Sequence, residues 1–349
     1  MGRERRAVLL MAYGSPATLE EVEEYYTHIR GGRRPDPERV EELRARYRAI
    51  GGSSPLPQIT RAQADALAAR LGLPVYVGMK HSPPFIAEAV ERMHADGVER
   101  GAAIALAPHY SRMSIGGYHA AVTEAAARLG GPRMSCVLSW HLHPLFIAAL
   151  ADRVRASRRR LVDSAAAPVV FTAHSLPQRI LDGGDPYVTQ LRETAEAAAR
   201  AAGVARWSVA FQSASATGEP WLGPDILNVV RELHTAGISE VVICPAGFVS
   251  DHLEVLYDLD IEGRRLAESL GLRVVRTESL NDARQFIDAL ADIAAAAFDT
   301  RPQESAGISG APAPSKLIGS AVKLEETQSS PRRAAHGAHR VRGRDSRRP

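Results

Sequence analysis

Residues 244–262 read CPAGFVSDHLEVLYDLDIE. The Val241-Val242-Ile243 run ahead of them has the β-branched, continuously apolar character of a short buried strand. Pro245, Gly247 and Ser250 make a turn, and Asp251-His252 opens a helix. With α-helical geometry Glu254, Asp258 and Glu262 recur every fourth residue, so three carboxylates share one face. Like charges at that spacing repel by ~0.2–0.5 kcal/mol per pair, and a cation passing along the face relieves the penalty. A solvated acidic face is the plain alternative. A second stretch, VVFTAHSLP at residues 169–177, favours the cation, because there too an apolar strand runs into a turn, and the turn holds His174. A His and a Glu on loops at strand ends are a common way to build a metal or proton-transfer site.

Outward from these two stretches the chain repeats itself. Residues 75–111 and 208–250 each give a strand, a polar loop and a helix ending in Met-His or Leu-His. Each then continues through Gly-Val or Gly-Ile into a strand with Pro just past its end. The strand starts Val8–Pro16 and Val169–Pro177 match in the same way. The pattern reads as an internal duplication, with an N-terminal half at 1–145 and a C-terminal half at 146–299. Strands alternating with helices of this length specify an α/β fold, with parallel sheets flanked by helices on both faces. Ligands of such sheets sit outside the C-terminal strand ends. By that rule Tyr13, Lys80-His81, His109-Tyr110, His174, Gln212-Ser213 and Phe248–Glu254 face one cleft.

The net charge of +3 conceals an asymmetry. Residues 300–349 carry ten Lys/Arg against four Asp/Glu, which leaves the rest of the chain at −3. This basic tail has no aromatic residue and is rich in Pro, Gly, Ser and Ala, a composition expected to be disordered. Its basic end can touch nucleic acid or anionic lipid, but without interleaved aromatics for stacking a solvated, non-specific tail is the reading preferred and no nucleic-acid partner is expected. No run of 18 apolar residues is present, so a transmembrane segment is not expected and the chain reads as cytoplasmic. Two cysteines, Cys136 and Cys244, exclude a disulfide framework and an all-cysteine metal site. No GxGxxG or Walker A pattern follows a strand, so no nucleotide is expected.

Near the start, Ala7–Met11 is a buried strand, and Thr18 with Glu21 suggests a capping box for a helix running to about Ile29. A basic loop, Arg30–Pro35, precedes a second helix over about 37–50 that carries Arg46 and Tyr47. The turn Gly51-Gly52-Ser53-Ser54-Pro55 can bring backbone N–H groups to an anion. A helix over Thr60–Leu71 and a strand over Pro74–Gly78 follow. Tyr13 alone reads as a packed aromatic and His174 alone as a turn or core histidine. Set beside the acidic face, His174 becomes a candidate base, because its ordinary pKa lies near neutrality. Arg30, Arg33, Arg34 and Arg46 form either a solvated face or, on the cleft border, a set of carboxylate binders.

These residues carry a resemblance to the ferrochelatases, and within them to the coproporphyrin ferrochelatases of Gram-positive bacteria. The motifs are LLMAYGSP (9–16), YYTHIRGGRRP (25–35), RYRAIGGSSPL (46–56), GMKHSPPFI (78–86), LAPHYS (106–111), TAHSLP (172–177), WLGPD (221–225) and GFVSDHLEVLYDLDIE (247–262). The resemblance implies two Rossmann-like halves around a porphyrin cleft, a monomer, and insertion of Fe²⁺ as substrate into coproporphyrin III. It implies His174 and Glu254 as the inner metal and proton-handling pair, with Tyr13 approaching the metal from the other porphyrin face. Arg30, Arg46, Tyr47, Ser54 and Tyr118 would hold the porphyrin and its propionates, and Asp258 and Glu262 would form an outer metal-entry site. Many actinobacterial relatives carry an iron–sulfur cluster on C-terminal cysteines; the tail here has none, so no cluster is expected. The alternatives are a protoporphyrin IX ferrochelatase, a non-catalytic porphyrin or haem carrier, and a chelatase inserting Co²⁺ or Ni²⁺ into another tetrapyrrole. The carrier would not need the carboxylate row.

Overall fold

The computed structural model describes residues 4–215, 217–299 and 325–326. Strands β1 (Arg6–Ala12), β2 (Val75–Met79), β3 (Arg100–Ala105) and β4 (Arg133–Cys136) form one parallel sheet in the order β2-β1-β3-β4. Strands β5 (Val169–His174), β6 (Arg206–Gln212), β7 (Glu240–Cys244) and β8 (Arg273–Arg276) form a second, in the order β8-β7-β5-β6. Counted from β5, the second sheet repeats the order of the first, with β6 in the place of β2 and β7 in the place of β3. The equivalence reaches individual hydrogen bonds. Met79 N–H donates to Pro84 O at 2.7 Å after β2, and Phe211 N–H donates to Pro224 O at 2.8 Å after β6. The segments that look alike in the sequence therefore occupy equivalent places, and the expected α/β architecture holds.

Ten α-helices flank the sheets among the described residues. They are α1 (Val22–Ile29), α2 (Pro37–Ala49), α3 (Leu56–Leu71), α4 (Ile86–Ala95) and α5 (Ile115–Leu129), then α6 (Pro144–Arg158), α7 (Tyr187–Ala202), α8 (Ile226–Thr235), α9 (Arg264–Ser269) and α10 (Arg284–Asp299). Alternate residues of β1 enter different cores, as the period of a strand demands. Val8 and Leu10 face α3 and α10, whereas Ala7, Leu9 and Met11 face α4 and α5. Helix α10 follows the second sheet in sequence, yet it packs on α3, β3 and β4 of the first sheet as well as on α6. Its Phe286, Leu290 and Ala294 belong to one apolar cluster that also holds Leu10, Ile104, Val169, Phe171 and Val242, so both sheets share a core.

Three local expectations differ from what is observed. The carboxylate of Glu21 accepts the Ala17 N–H at 2.9 Å, and α1 begins only at Val22, so the box with Thr18 is not the helix start. Helix α3 starts four residues earlier than its sequence suggests, at Leu56 behind Pro55. The acidic helix is a π-helix, Glu254–Gly263, whose wider turn still sets its fourth neighbours close together. The basic tail lies outside the described residues except Glu325–Glu326, which pair antiparallel with Arg206–Trp207 on the edge of the second sheet. No helix among the described residues is long and apolar enough to cross a membrane.

Candidate active site

His174 and Gln212 stand in register at the ends of β5 and β6. The neighbouring β7 ends at Cys244, and its chain turns back over β5 through Gly247, whose N–H donates to Thr172 O at 2.9 Å. A Cβ on Gly247 would stand 2.5 Å from Ala173 Cβ and 2.8 Å from its Cα, so only glycine permits the crossing. That crossing launches the π-helix beside His174. Buried Gln212 then ties the two together: its carbonyl accepts Thr172 Oγ1 at 2.8 Å and its amide donates to Glu254 O at 3.0 Å. Tyr187 of α7 donates its hydroxyl to His174 O at 2.9 Å and fixes the strand end from the other side.

At the centre His174 Nε2 meets Glu254 Oε1 at 3.4 Å. The ring's Nδ1–H donates to Ser175 O, which leaves Nε2 for the carboxylate. Burial works against a charged imidazole here, but the Glu254 carboxylate and its hydrogen bond outweigh it and raise His174 to about 9. Burial equally opposes the Glu254 charge, yet the two imidazoles beside it hold the carboxyl well below its ordinary range. The second imidazole is His252, with Nε2 3.7 Å from Glu254 Oε2 and Nδ1–H donating to Ser250 O at 2.9 Å. Glu254 thus lies between two imidazoles, each presenting Nε2. In the sequence His252 passed as a residue of the helix start. The signal lies in its spacing: across a helix N-terminus, residues two apart can turn toward each other.

The carboxylate row continues outward. Asp258 is 5% exposed, and burial raises its carboxyl to about 6 against the opposing hydrogen bond from Ser213; the charges of Glu254 and Glu262 add to the rise. Glu262, one further step along, is exposed to solvent. Ser213 donates its hydroxyl to Asp258 from a left-handed backbone, φ 62°, at the end of β6. Arg46 of α2 reaches the same carboxylate at 3.4 Å and lies over the Tyr257 ring at 5.0 Å. The α1–α2 hairpin thereby leans on the π-helix, with Leu253 packed against its Val22, Val40 and Tyr47.

The remaining candidates divide. Tyr13 is 41% exposed and its ring lies 4.6 Å from His81, while partial burial and the Glu254 charge both raise its phenol. His81 in turn meets His28 Nδ1 to Nδ1 at 3.0 Å. Tyr47, Ser54 and Tyr118 are only 2%, 3% and 5% exposed, so each can offer an edge or a hydroxyl but not a whole side chain. Lys80 Nζ sits 5.0 Å above the Tyr118 ring. Arg30 stacks over Tyr26, whereas Arg34 is paired with Glu23 at 2.5 Å. His109, expected at the cleft, is buried instead against α7, with Nε2 2.9 Å from Thr194 Oγ1. Burial drives it to about 3, which keeps it neutral.

A paired imidazole and carboxylate, with a row of acids running out to solvent, can bind a divalent cation and accept protons. The comparisons agree with that chemistry. A model of the ferrochelatase family matches residues 5–297. A coproporphyrin III ferrochelatase of Anoxybacillus flavithermus is 46% identical over 303 residues, covering 84% of this chain and 96% of its own. One of the same name from Halalkalibacterium halodurans is 46% identical over 301 residues, covering 84% and 97%. The solved sirohydrochlorin chelatase of Bacillus subtilis subspecies spizizenii, in complex with cobalt, superposes with a TM-score of 0.56. At 13% identity, covering 84% of this chain and 96% of that one, it shares the fold alone. With a family match that runs from β1 through nearly all of α10, and relatives alike over almost their entire length, the chain belongs to the ferrochelatase family.

Proposed function

We propose that the chain inserts ferrous iron into coproporphyrin III, giving Fe-coproporphyrin III and two protons. The observation that carries this reading is the His174–Glu254 contact at 3.4 Å, at the inner end of a carboxylate row whose outer member, Glu262, is in solvent. Relatives sharing 46% of their residues bear the name of that activity. Fe²⁺ enters past Glu262 and Asp258 and exchanges waters for carboxylate oxygens. Its approach makes the His174 proton unfavourable, and the proton leaves to solvent as the metal takes Nε2. Glu254, anionic throughout the neutral range, is the acceptor for pyrrole protons. Tyr13 meets the macrocycle from its other face, and a cleft firm on both sides binds a bent ring better than a flat one.

Arg30, Arg46, Tyr47, Ser54 and Tyr118 hold the ring and its propionates in this reading. Arg46 uses one nitrogen on Asp258, and its fork keeps further donors for a propionate. We place the protein in the cytoplasm, as a monomer without an iron–sulfur cluster. In support, Cys136 and Cys244 are free thiols on different sheets, raised by burial to about 11 and about 12. Anaerobic insertion assays with Fe²⁺ and coproporphyrin III, protoporphyrin IX and sirohydrochlorin test the whole reading. Coproporphyrin III is expected to have the highest kcat/KM, and His174→Ala to abolish insertion while porphyrin binding changes by no more than a few-fold. Equal or better use of protoporphyrin IX overturns the substrate. Tight porphyrin binding without insertion points to a carrier.

A further inference from the structure

The turn that launches the π-helix is held from outside the site by one residue. Asn281, in the loop between β8 and α10, donates its N–H to Val249 O at 2.8 Å. Its side-chain carbonyl accepts the Asp251 N–H at 2.9 Å, and its amide donates to Asp251 Oδ2 at 3.0 Å. Residues 249–251 are therefore gripped at both ends, with Ser250 between, and Ser250 O is the acceptor that orients His252 Nδ1–H at 2.9 Å. Asn281 does this with φ at 45°, a left-handed conformation that asparagine tolerates better than other residues with a side chain beyond glycine.

The grip has backing. Fully buried Gln63 of α3 spans from the first half, its amide donating to Asn281 O at 2.8 Å and to Ser250 Oγ at 2.9 Å. On the outer side Ser279 Oγ donates to Asp251 at 2.7 Å, and Arg276 reaches Asp251 at 3.3 Å. Arg276 also binds Asp260 of the π-helix through two nitrogens at 2.7 and 2.8 Å. The shortest connection from this network to the chemistry passes through Ser250 O to His252 and from His252 to Glu254.

We propose that Asn281 is a positioning residue for metal insertion. By locking residues 249–251 it keeps the His252 Nδ1–H on Ser250 O and the aim of its Nε2 at Glu254. The consequence for turnover rests on the reading of this site as the metal-insertion site; the consequence for His252 does not. A misplacement of about 1 Å in a catalytic group can cost ~100-fold in rate.

The test uses the full chain with Asn281→Gly, which permits the same φ and deletes the amide, and Asn281→Asp, which keeps the acceptor for Asp251 N–H. Asp282→Ala, an exposed neighbour in the same loop, is the control. Fe²⁺ insertion into coproporphyrin III is expected to lose ~10- to 100-fold in kcat in Asn281→Gly, with porphyrin KM within about two-fold. Asn281→Asp is expected to recover part of the loss, and the control to behave as wild type. Nitrogen-15 spectra of His252 are expected to show a hydrogen-bonded Nδ1–H in the wild type and a weakened or averaged Nδ1 signal in Asn281→Gly. An unaltered kcat together with an unaltered His252 Nδ1 signal overturns the proposal. So does a loss that falls equally on melting temperature and on both KM values, the mark of general destabilisation. If the wild type inserts no metal, the proposed function fails, and the His252 spectra alone decide whether Asn281 positions it.

Discussion

Replacing Glu254 by Gln removes a negative charge from between two imidazoles and keeps the volume of the side chain. In the intact protein His174 lies at about 9, compared with 6.5 for an unperturbed imidazole. Burial opposes that rise, and the Glu254 charge and hydrogen bond are the largest influences favouring it; the Ser175 carbonyl and the Asp258 charge rank behind them. Without the carboxylate, burial becomes dominant. His174 is then expected to titrate at or below 6.5, a fall of about 2.5 pH units. At 1.36 kcal/mol per unit this corresponds to ~3 kcal/mol, less the part that solvent screens from a ring one-third exposed. Proton and carbon shifts of the His174 ring, assigned by their loss in His174→Ala, follow the titration directly. Insertion is expected to fall ~10²- to 10⁴-fold in the same variant, because the acceptor of pyrrole protons is gone. A His174 that still titrates near 9 in Glu254→Gln refutes the ion-pair reasoning, whatever happens to turnover.

Other expectations follow from neighbouring contacts. Arg46→Ala is expected to raise the KM for coproporphyrin III about tenfold, a loss of ~1.4 kcal/mol, with a smaller change for protoporphyrin IX; equal changes for both porphyrins would remove Arg46 from propionate binding. Ser213→Gly keeps the left-handed backbone at φ 62°, so Ser213→Ala should melt lower than it by ~1 kcal/mol, while both raise the KM for iron through the lost Asp258 contact. Gly247→Ala, whose Cβ would meet Ala173 at 2.5 Å, should cost ~1–3 kcal/mol in thermal unfolding. The stabilisation that the His174–Glu254 pair lends also has a pH window. Because His174 is raised, its share is complete below 6.5 and vanishes as pH climbs through about 9. Because Glu254 is depressed, its share is present above 4.5 and is lost at lower pH. Melting temperatures of the wild type and a His174→Ala/Glu254→Gln double variant should therefore diverge most between about pH 5 and 6.5, draw together as pH climbs toward 9, and converge above about 10.

How far the sequence could be read depended on how local each determinant is. The inner strands β1, β5 and β7 are short apolar runs ending in Gly/Pro/Ser turns, and their parallel pairing followed from the helices between them. His174 was legible because it ends such a run, Glu254 because it heads a row of carboxylates four residues apart, and their pairing as a metal site came from the resemblance. The π-helix was not: its composition is that of any amphipathic helix, and the contacts it makes with Arg276, Ser213 and Gln212 come from residues distant in the chain. Gln63 and Asn281 were illegible for a related reason, since they meet across 218 residues of chain. The placement of Arg46 on Asp258, 212 residues away, belongs to the same class.

Helix α10 has a consequence for how the molecule is made. It is the last of the ten described helices to leave the ribosome, and yet it covers Val8, Leu10 and Ile104 of the sheet synthesised first. Until then that apolar face lacks the cover of Phe286, Leu290 and Ala294. The two sheets share one strand order, but the N-terminal one cannot close its core until Phe286, Leu290 and Ala294 are in place. Folding is then concerted rather than vectorial, and a ribosome stalled within the last helix releases a chain with an open, adhesive face in place of a finished half.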